Sequence, residues 1–267
     1  MKIPFTKCHA NGNDFILILS EYFPEVDDKE SIIQRLCNRH TGIGADGLFI
    51  ISPSEKNDFS LDYYNSDGSW ETFCANGSRC ASLFMYQSRK VEQKMTFETG
   101  AGMYWSEIKS EGMVMMGMRT PEYKSKALNP EGCAGFFVNS GARHFVCESN
   151  NLDEEYVTNI GRRIRHHQIF QPKGINVNFY KLEDDGTIQI RTYEKGVEQM
   201  MLSCSSGSTA VVFHLSHSLG LSSPITTASP GGKLRFTFDK NWKDASCEGP
   251  AEILFSSEFS SFHSDYA

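Results

Sequence analysis

Cys74 and Cys204 stand in matching surroundings, and that match is the strongest chemical signal in the chain. Cys74 opens the run Cys-Ala-Asn-Gly-Ser-Arg-Cys80, and Cys204 opens Cys-Ser-Ser-Gly-Ser-Thr-Ala210. Each reads Cys-x-x-Gly-Ser-x, followed by small residues and then large apolar ones. A cysteine at a helix start faces unpaired backbone N–H groups and about half a positive charge. Together these stabilise a thiolate and lower the thiol pKa. The same N–H groups can hold a carboxylate. The small residues Ala75–Gly77 and Ser205–Gly207 are expected to let a ligand approach the backbone closely. One thiolate and one thiol of similar pKa form a symmetric pair: one removes a proton from an α-carbon, and the other delivers a proton to the opposite face. Helix dipoles and backbone donors would stabilise charge building on the adjoining carboxylate. The plainer reading is that both cysteines are packed small residues before apolar helices.

The elements that must carry these cysteines also repeat. Each is preceded by a strand, a glycine turn and a short extended run, Asp62–Phe73 in one case and Ile190–Ser203 in the other. The cysteines are 130 residues apart in a chain of 267, close to half its length. The expected organisation is therefore a diverged internal duplication, giving two similar domains with a cleft between them. The helices after Cys74 and Cys204 are apolar on most of their circumference, as suits a helix enclosed by other structure. Two amphipathic helices are expected besides. One follows Asp27 and Asp28 and buries Ile32, Ile33, Leu36 and Cys37; the other follows Asp153 and ends near Arg162, Arg163 and Arg165. Short β-rich runs fill the rest: 16–19, 48–51, 61–64, 95–98, 114–118, 136–138, 177–180, 188–193, 234–238 and 252–255. The polar stretch Thr120–Pro130, with two prolines, is the expected domain crossing.

Composition narrows the partners. There are 26 basic against 33 acidic side chains, a net charge of −7, which argues against nucleic acid as the main partner. No stretch reaches about 18 consecutive apolar residues, and no secretory signal core opens the chain, so no membrane partner is expected and the cytoplasm is the expected location. The other cysteines, Cys8, Cys37, Cys80, Cys133, Cys147 and Cys247, are scattered, unlike a disulfide scaffold. Without a Cys-x-x-Cys pair no metal is expected, and no lysine motif for a pyridoxal cofactor is evident, so no cofactor is expected either.

Several further runs carry a resemblance. They are His9-Ala-Asn-Gly-Asn-Asp-Phe15, Arg39-His-Thr-Gly-Ile-Gly-Ala-Asp-Gly47, Asn65-Ser-Asp-Gly-Ser69, Gly174-Ile-Asn-Val-Asn-Phe179 and Tyr193-Glu-Lys-Gly-Val197, together with the Cys74 run. In this order, and nearly end to end, the sequence resembles diaminopimelate epimerase, a cofactor-independent racemase family of lysine and peptidoglycan precursor synthesis. The resemblance implies an α/β (α+β) fold of two pseudo-symmetric domains, each a curved, mostly antiparallel sheet wrapped round a central helix. The bounds expected are 1–118 completed by 253–267, and 119–252. It further implies Cys74 and Cys204 as the paired acid and base, acting on a small amino acid substrate. Asn13, Asn65 and Asn176 fall on positions that hydrogen-bond substrate amino and carboxylate groups. Backbone donors at Ala75, Asn76, Ser205 and Ser206 would hold the reacting carboxylate, and Glu194 the substrate amine. His144 matches a histidine beside the thiols, a proton acceptor in waiting. The family is often dimeric.

Three departures bear on the substrate. Lys195 stands where the family has an arginine that grips the distal carboxylate; lysine keeps the charge and loses the bidentate fork. The family's Gly-Asn-Pro-His is here Gly141-Ala142-Arg143-His144, and Arg143 either replaces the missing guanidinium or is solvated. Ala75, Ser205 and Ser206 change the glycine-rich turns after the two cysteines. The leading expectation is epimerisation of LL-diaminopimelate to the meso form. The rivals are a racemase of another amino acid, a non-catalytic thiol or metal module using Cys74, Cys80 and Cys204, and a fold relative that isomerises without thiols.

Overall fold

Alternation along the strands decides how each half of the chain layers. In β2 (Asn13–Leu19) and β3 (Gly47–Ser52), Ile16, Ile18, Leu48 and Ile50 join one buried cluster with Ile33, Leu36 and Cys37 of α1 (Lys29–Cys37). The residues between them, Phe15, Leu17, Phe49 and Ile51, point to the opposite face and are also buried. A sheet buried on both faces needs a layer on each side, and β2 and β3 are a parallel pair joined through α1. Asp28 starts α1 by accepting the Ser31 backbone N–H at 3.0 Å.

The structure is a computed structural model and describes residues 2–260. The chain divides into two compact units: residues up to Met116 together with those from Pro250 onward, and Gly117–Gly249. The change of unit falls within a strand, Met113–Met118, rather than in the polar stretch Thr120–Pro130. Of the expected closing segment 253–267, residues 261–267 lie outside the described residues; the rest continues the strand Glu252–Phe259.

The first unit contains β1 (Ile3–Ala10), β2, β3, β4 (Phe59–Asn65), β5 (Trp70–Glu71), β6 (Lys94–Thr99), β7 (Gly102–Ser110) and β8 (Met113–Met118). The last strand, Glu252–Phe259, returns to pair antiparallel with β1. The ladder runs β1–β2–β3–β4, then from β4 to both β5 and β6, then to β7 and β8. Its pairings among the described residues are antiparallel except β2–β3 and β4–β6. Inside the sheet lies α2 (Ala75–Gln87), buried through its first nine residues, its polar side chains Asn76, Arg79 and Ser82 hydrogen-bonded within the fold.

The second unit repeats this plan with β9 (Glu122–Tyr123), β10 (Gly135–Asn139), β11 (Arg143–Glu148), β12 (Asn176–Leu182), β13 (Ile188–Glu194), β14 (Gln199–Met201), β15 (Ile225–Ser229), β16 (Gly232–Phe238) and β17 (Ala245–Pro250). Here β11–β12 and β13–β15 are the parallel pairs, again with a crossover helix, α3 (Glu154–His166), after β11. One face of β11 and β12 places Phe145, Cys147, Val177 and Phe179 against Val157 and Ile164 of α3. The other face places Val146 and Tyr180 against α4 (Ser205–Ser218), which occupies the position of α2. Each unit is thus a mostly antiparallel sheet round one buried helix, the α/β architecture expected from the sequence. No helix among the described residues is long and apolar enough to cross a membrane.

The strands Ile3–Ala10, Gly102–Ser110, Arg143–Glu148, Ile225–Ser229 and Ala245–Pro250 go beyond those read from the sequence. β1 was masked by Lys7, an ammonium that the fold buries. It donates to Asp14 Oδ2 at 2.6 Å and to the Gly44 carbonyl.

Candidate active site

Each cysteine caps its helix in the same way. Cys74 has φ −141° and ψ 113°, and Cys204 has φ −135° and ψ 104°; both are extended residues just before a buried helix. Their carbonyls accept the first intrahelical bonds, from Ser78 N–H and Ser208 N–H, each at 2.9 Å. Neither thiol accepts a capping hydrogen bond from the first-turn N–H groups of its own helix. Both cysteines are half-buried.

The glycines that follow let each helix pack closely on a strand. A β-carbon on Gly77 would lie 2.0 Å from Phe49 Cε2, and one on Gly207 would lie 2.2 Å from Asn178 Oδ1. Glycine is required because the helix sits directly on β3 in one unit and on β12 in the other.

In the first unit, Asn13 and Asn76 come together. Asn76 Nδ2 donates to Asn13 Oδ1 at 3.1 Å, and Asn13 Nδ2 donates to Asp46 Oδ2 at 2.7 Å. Arg79, fully buried on α2, donates to Asn76 Oδ1 at 2.8 Å and to Asn11 Oδ1 at 3.0 Å. A donor-only guanidinium at one end and an acceptor-only carboxylate at the other fix which way each amide points. Arg39 reinforces the acidic end, with Nη2 2.8 Å from Asp46 Oδ1 and a forked pair of bonds to Asp14. Burial alone would raise the Asp14 carboxyl, but the bonds from Arg39 and Lys7 hold it down to about 2. Asn65, at the end of β4, accepts from Tyr63 OH at 2.8 Å and donates to Ser69 Oγ at 3.1 Å.

In the second unit, Cys204, Ser206 and His144 come together. Ser206 Oγ lies 3.5 Å from Cys204 Sγ and 3.0 Å from His144 Nε2. Asn178 Nδ2 donates to His144 Nδ1 at 3.0 Å and to the Phe145 carbonyl at 3.2 Å, while Thr192 Oγ1 donates to Asn178 Oδ1 at 2.9 Å. Burial pushes His144 down to about 3, so it is neutral at physiological pH. With its Nδ1 lone pair occupied, its ring proton sits on Nε2. The resemblance implies a proton acceptor at His144; in this arrangement its Nε2 faces Ser206 Oγ as a donor.

The remaining positions are placed as follows. Asn176 Oδ1 accepts the Lys195 backbone N–H at 2.8 Å, tying the start of β12 to the turn after β13. Glu194, the last residue of β13, is half-buried, and the Lys195 side chain is exposed. Arg143 donates through Nε to the Gly174 carbonyl at 2.9 Å and lies over the Phe137 ring at 4.6 Å, so its guanidinium is engaged within its own unit. By strand register Ala142 is the counterpart of Asn13, so the amide beside α2 has no equivalent beside α4. Cys80 is fully buried, and among the described residues no group of three or more His, Cys, Asp or Glu is placed to hold a metal. Sequence reasoning missed Arg79, Asp46, Asn178 and Thr192 as parts of the site, although the first three lie inside its quoted runs.

The sequence profile described as Diaminopimelate epimerase matches residues 5–121 and 136–254. The chain is 36% identical over 272 residues to a diaminopimelate epimerase of Aquifex aeolicus (strain VF5), covering 96% of this chain and 97% of that one. It is 34% identical over 255 residues to that of Flavobacterium psychrophilum, covering 93% and 97%. Among solved structures, a probable proline racemase from Agrobacterium radiobacter K84 superposes with TM-score 0.77 at 14% identity, covering 99% of this chain and 94% of that one. A hydroxyproline epimerase from Agrobacterium vitis gives TM-score 0.74 at 13% identity, covering 96% and 92%. These two likenesses concern the fold.

Proposed function

The chain belongs to the diaminopimelate epimerase family and is an isomerase, an amino acid epimerase; from this premise we propose that it interconverts LL- and meso-diaminopimelate with two cysteines and no cofactor, in lysine and peptidoglycan precursor synthesis. The observation that carries the reading is the paired helix start: Cys74 and Cys204 in the same extended cap conformation, each opening the one buried helix of its unit. In this reading one sulfur, as thiolate, takes the α-proton while the other, as thiol, delivers a proton to the opposite face. The α-carbanion is stabilised by delocalisation onto the carboxylate, which the N–H groups of Ala75, Asn76, Ser205 and Ser206 hold at the helix starts. After turnover the two sulfurs have exchanged protonation states, and proton exchange with solvent, or a substrate of the opposite configuration, resets them.

Asn13, Asn65 and Asn176 then bind substrate amino and carboxylate groups, with Glu194 on the amine. The hydrogen bonds already described commit part of each asparagine and leave its remaining donors or acceptors for substrate. Lys195 offers the distal carboxylate a single mobile charge. Arg143, held through Nε by the Gly174 carbonyl and stacked on Phe137, keeps its terminal nitrogens as a second source of positive charge for that carboxylate.

The test is a panel of LL-diaminopimelate and single L-amino acids, each followed by chiral chromatography without added pyridoxal phosphate. Conversion of LL-diaminopimelate in preference to the panel is expected. Preferred inversion of another amino acid would transfer the reading to a racemase of that substrate, and inversion of none would remove it.

A further inference from the structure

The two units share a plan but differ chemically beneath their central helices. Phe15 pairs with Gly47 across β2–β3, and His144 pairs with Asn176 across β11–β12. Two residues on from Gly47 and Asn176 stand Phe49 and Asn178, each seated under its helix glycine, and they face Tyr63 and Thr192 on the next strand. Three positions are therefore Phe15, Phe49 and Tyr63 in the first unit and His144, Asn178 and Thr192 in the second. The first set is an aromatic stack, with Phe49 and Tyr63 4.8 Å apart and Phe15 edge-on to Phe49 at 5.5 Å. The second is a hydrogen-bonded chain that ends at Ser206.

We propose that Ser206 is a positioning residue whose hydroxyl donates to the Cys204 sulfur and holds it as the thiolate. The inference rests on the two-cysteine reading above, and its direction is fixed from the backbone outward. The Phe145 carbonyl can only accept, so it faces the amide nitrogen of Asn178. That nitrogen then donates to His144 Nδ1, which leaves the histidine proton on Nε2. His144 Nε2–H donates to Ser206 Oγ, and with an oxygen lone pair so used the hydroxyl hydrogen is directed to the sulfur 3.5 Å away. A donor aimed at sulfur favours S⁻ over S–H. The Ser206 carbonyl is held in turn by Ser140 Oγ at 2.7 Å, which fixes the first turn of α4.

Ionisable side chains on the strands packed against α4 are few, and Tyr123 of β9 bonds to His214 well along the helix. β10 and β15 carry no ionisable side chain. β16 offers only Lys233 and Arg235, both exposed. β12 carries Tyr180 and Lys181, the latter paired with Glu183. On β11, His144 is neutral, Arg143 is turned to Gly174, and Cys147 and Glu148 lie at the far end of the strand. Glu194 is the last residue of β13.

The test is the pH dependence of iodoacetamide alkylation at Cys204, read by peptide mass spectrometry in a Cys74→Ala background. Ser206→Ala is expected to raise the alkylation midpoint by about one pH unit, a roughly tenfold loss of thiolate at neutral pH. Ser206→Thr, which keeps the hydroxyl, is expected to restore it. An unchanged midpoint in Ser206→Ala, or no restoration by threonine, overturns the proposal. So does an Nδ1–H tautomer of His144 in nitrogen-15 NMR spectra of the unsubstituted protein. Neither readout uses turnover, so a failure of the diaminopimelate reading is seen separately in the substrate panel.

Discussion

The Asn178 side-chain oxygen lies 2.2 Å from the point where a β-carbon on Gly207 would stand, so the helix opened by Cys204 rests on the amide that orients His144. Gly207→Ala therefore has two consequences. The added methyl must displace Asn178, costing about 1–3 kcal/mol of stability despite alanine's better helix propensity. It also breaks the donor chain to the thiol, so the Cys204 alkylation midpoint rises. Urea melts and alkylation profiles check both; a variant as stable as its parent would show that the contact is slack.

Asn76 joins a buried guanidinium to the asparagine expected to meet substrate. Asn76→Leu removes one acceptor from Arg79 and one donor from Asn13. The expected cost is about 1–3 kcal/mol in a thermal or urea melt, because polar groups buried at this depth are not rehydrated. The freed Asn13 amide should also raise KM, measured by steady-state kinetics.

Asp14 is held down to about 2, below the value of about 3.9 in an unfolded chain. A depressed carboxyl stabilises the fold fully above pH 4 or so and loses that contribution as pH falls toward about 2. Denaturant titrations across that window should show a loss of stability in the parent protein that is smaller in Asp14→Asn. An equal slope in both would mean that the Lys7–Asp14–Arg39 cluster does not contribute.

Lys195 presents an exposed ammonium on a turn whose backbone is fixed to Asn176. Lys195→Arg adds the bidentate fork and is expected to lower KM for diaminopimelate several-fold with little change in kcat; Lys195→Ala is expected to raise KM. A lowered kcat with constant KM would remove Lys195 from distal carboxylate binding.

Local spacing made the cysteines legible. Cys74 and Cys204 announce themselves because a Cys-x-x-Gly-Ser turn and its apolar helix lie within a dozen residues, and that pattern occurs twice. The continuous apolar run Leu48–Ile51 and the alternating Ile188–Tyr193 were equally readable as strands. Lys7 and His144 hid their strands, because a polar residue inside a strand is explained only by partners from elsewhere in the sheet. The link from Phe145 through Asn178 to Ser206 was invisible for the same reason. It joins residues more than thirty positions apart, brought together by a parallel register that no local pattern encodes. That Gly77 and Gly207 also seat their helices on a strand was not legible, because only the packing shows what an absent side chain makes room for.

The central claim is a two-base inversion, and early-time deuterium exchange addresses it most directly. LL-diaminopimelate is incubated with the enzyme in deuterated water and sampled before a tenth has reacted. If separate thiols remove and deliver the proton, the meso product carries deuterium at the inverted carbon while recovered LL substrate retains protium. Deuterium appearing equally in both from the outset would mean that one group exchanges its proton with solvent on a single face, and would contradict the paired roles of Cys74 and Cys204.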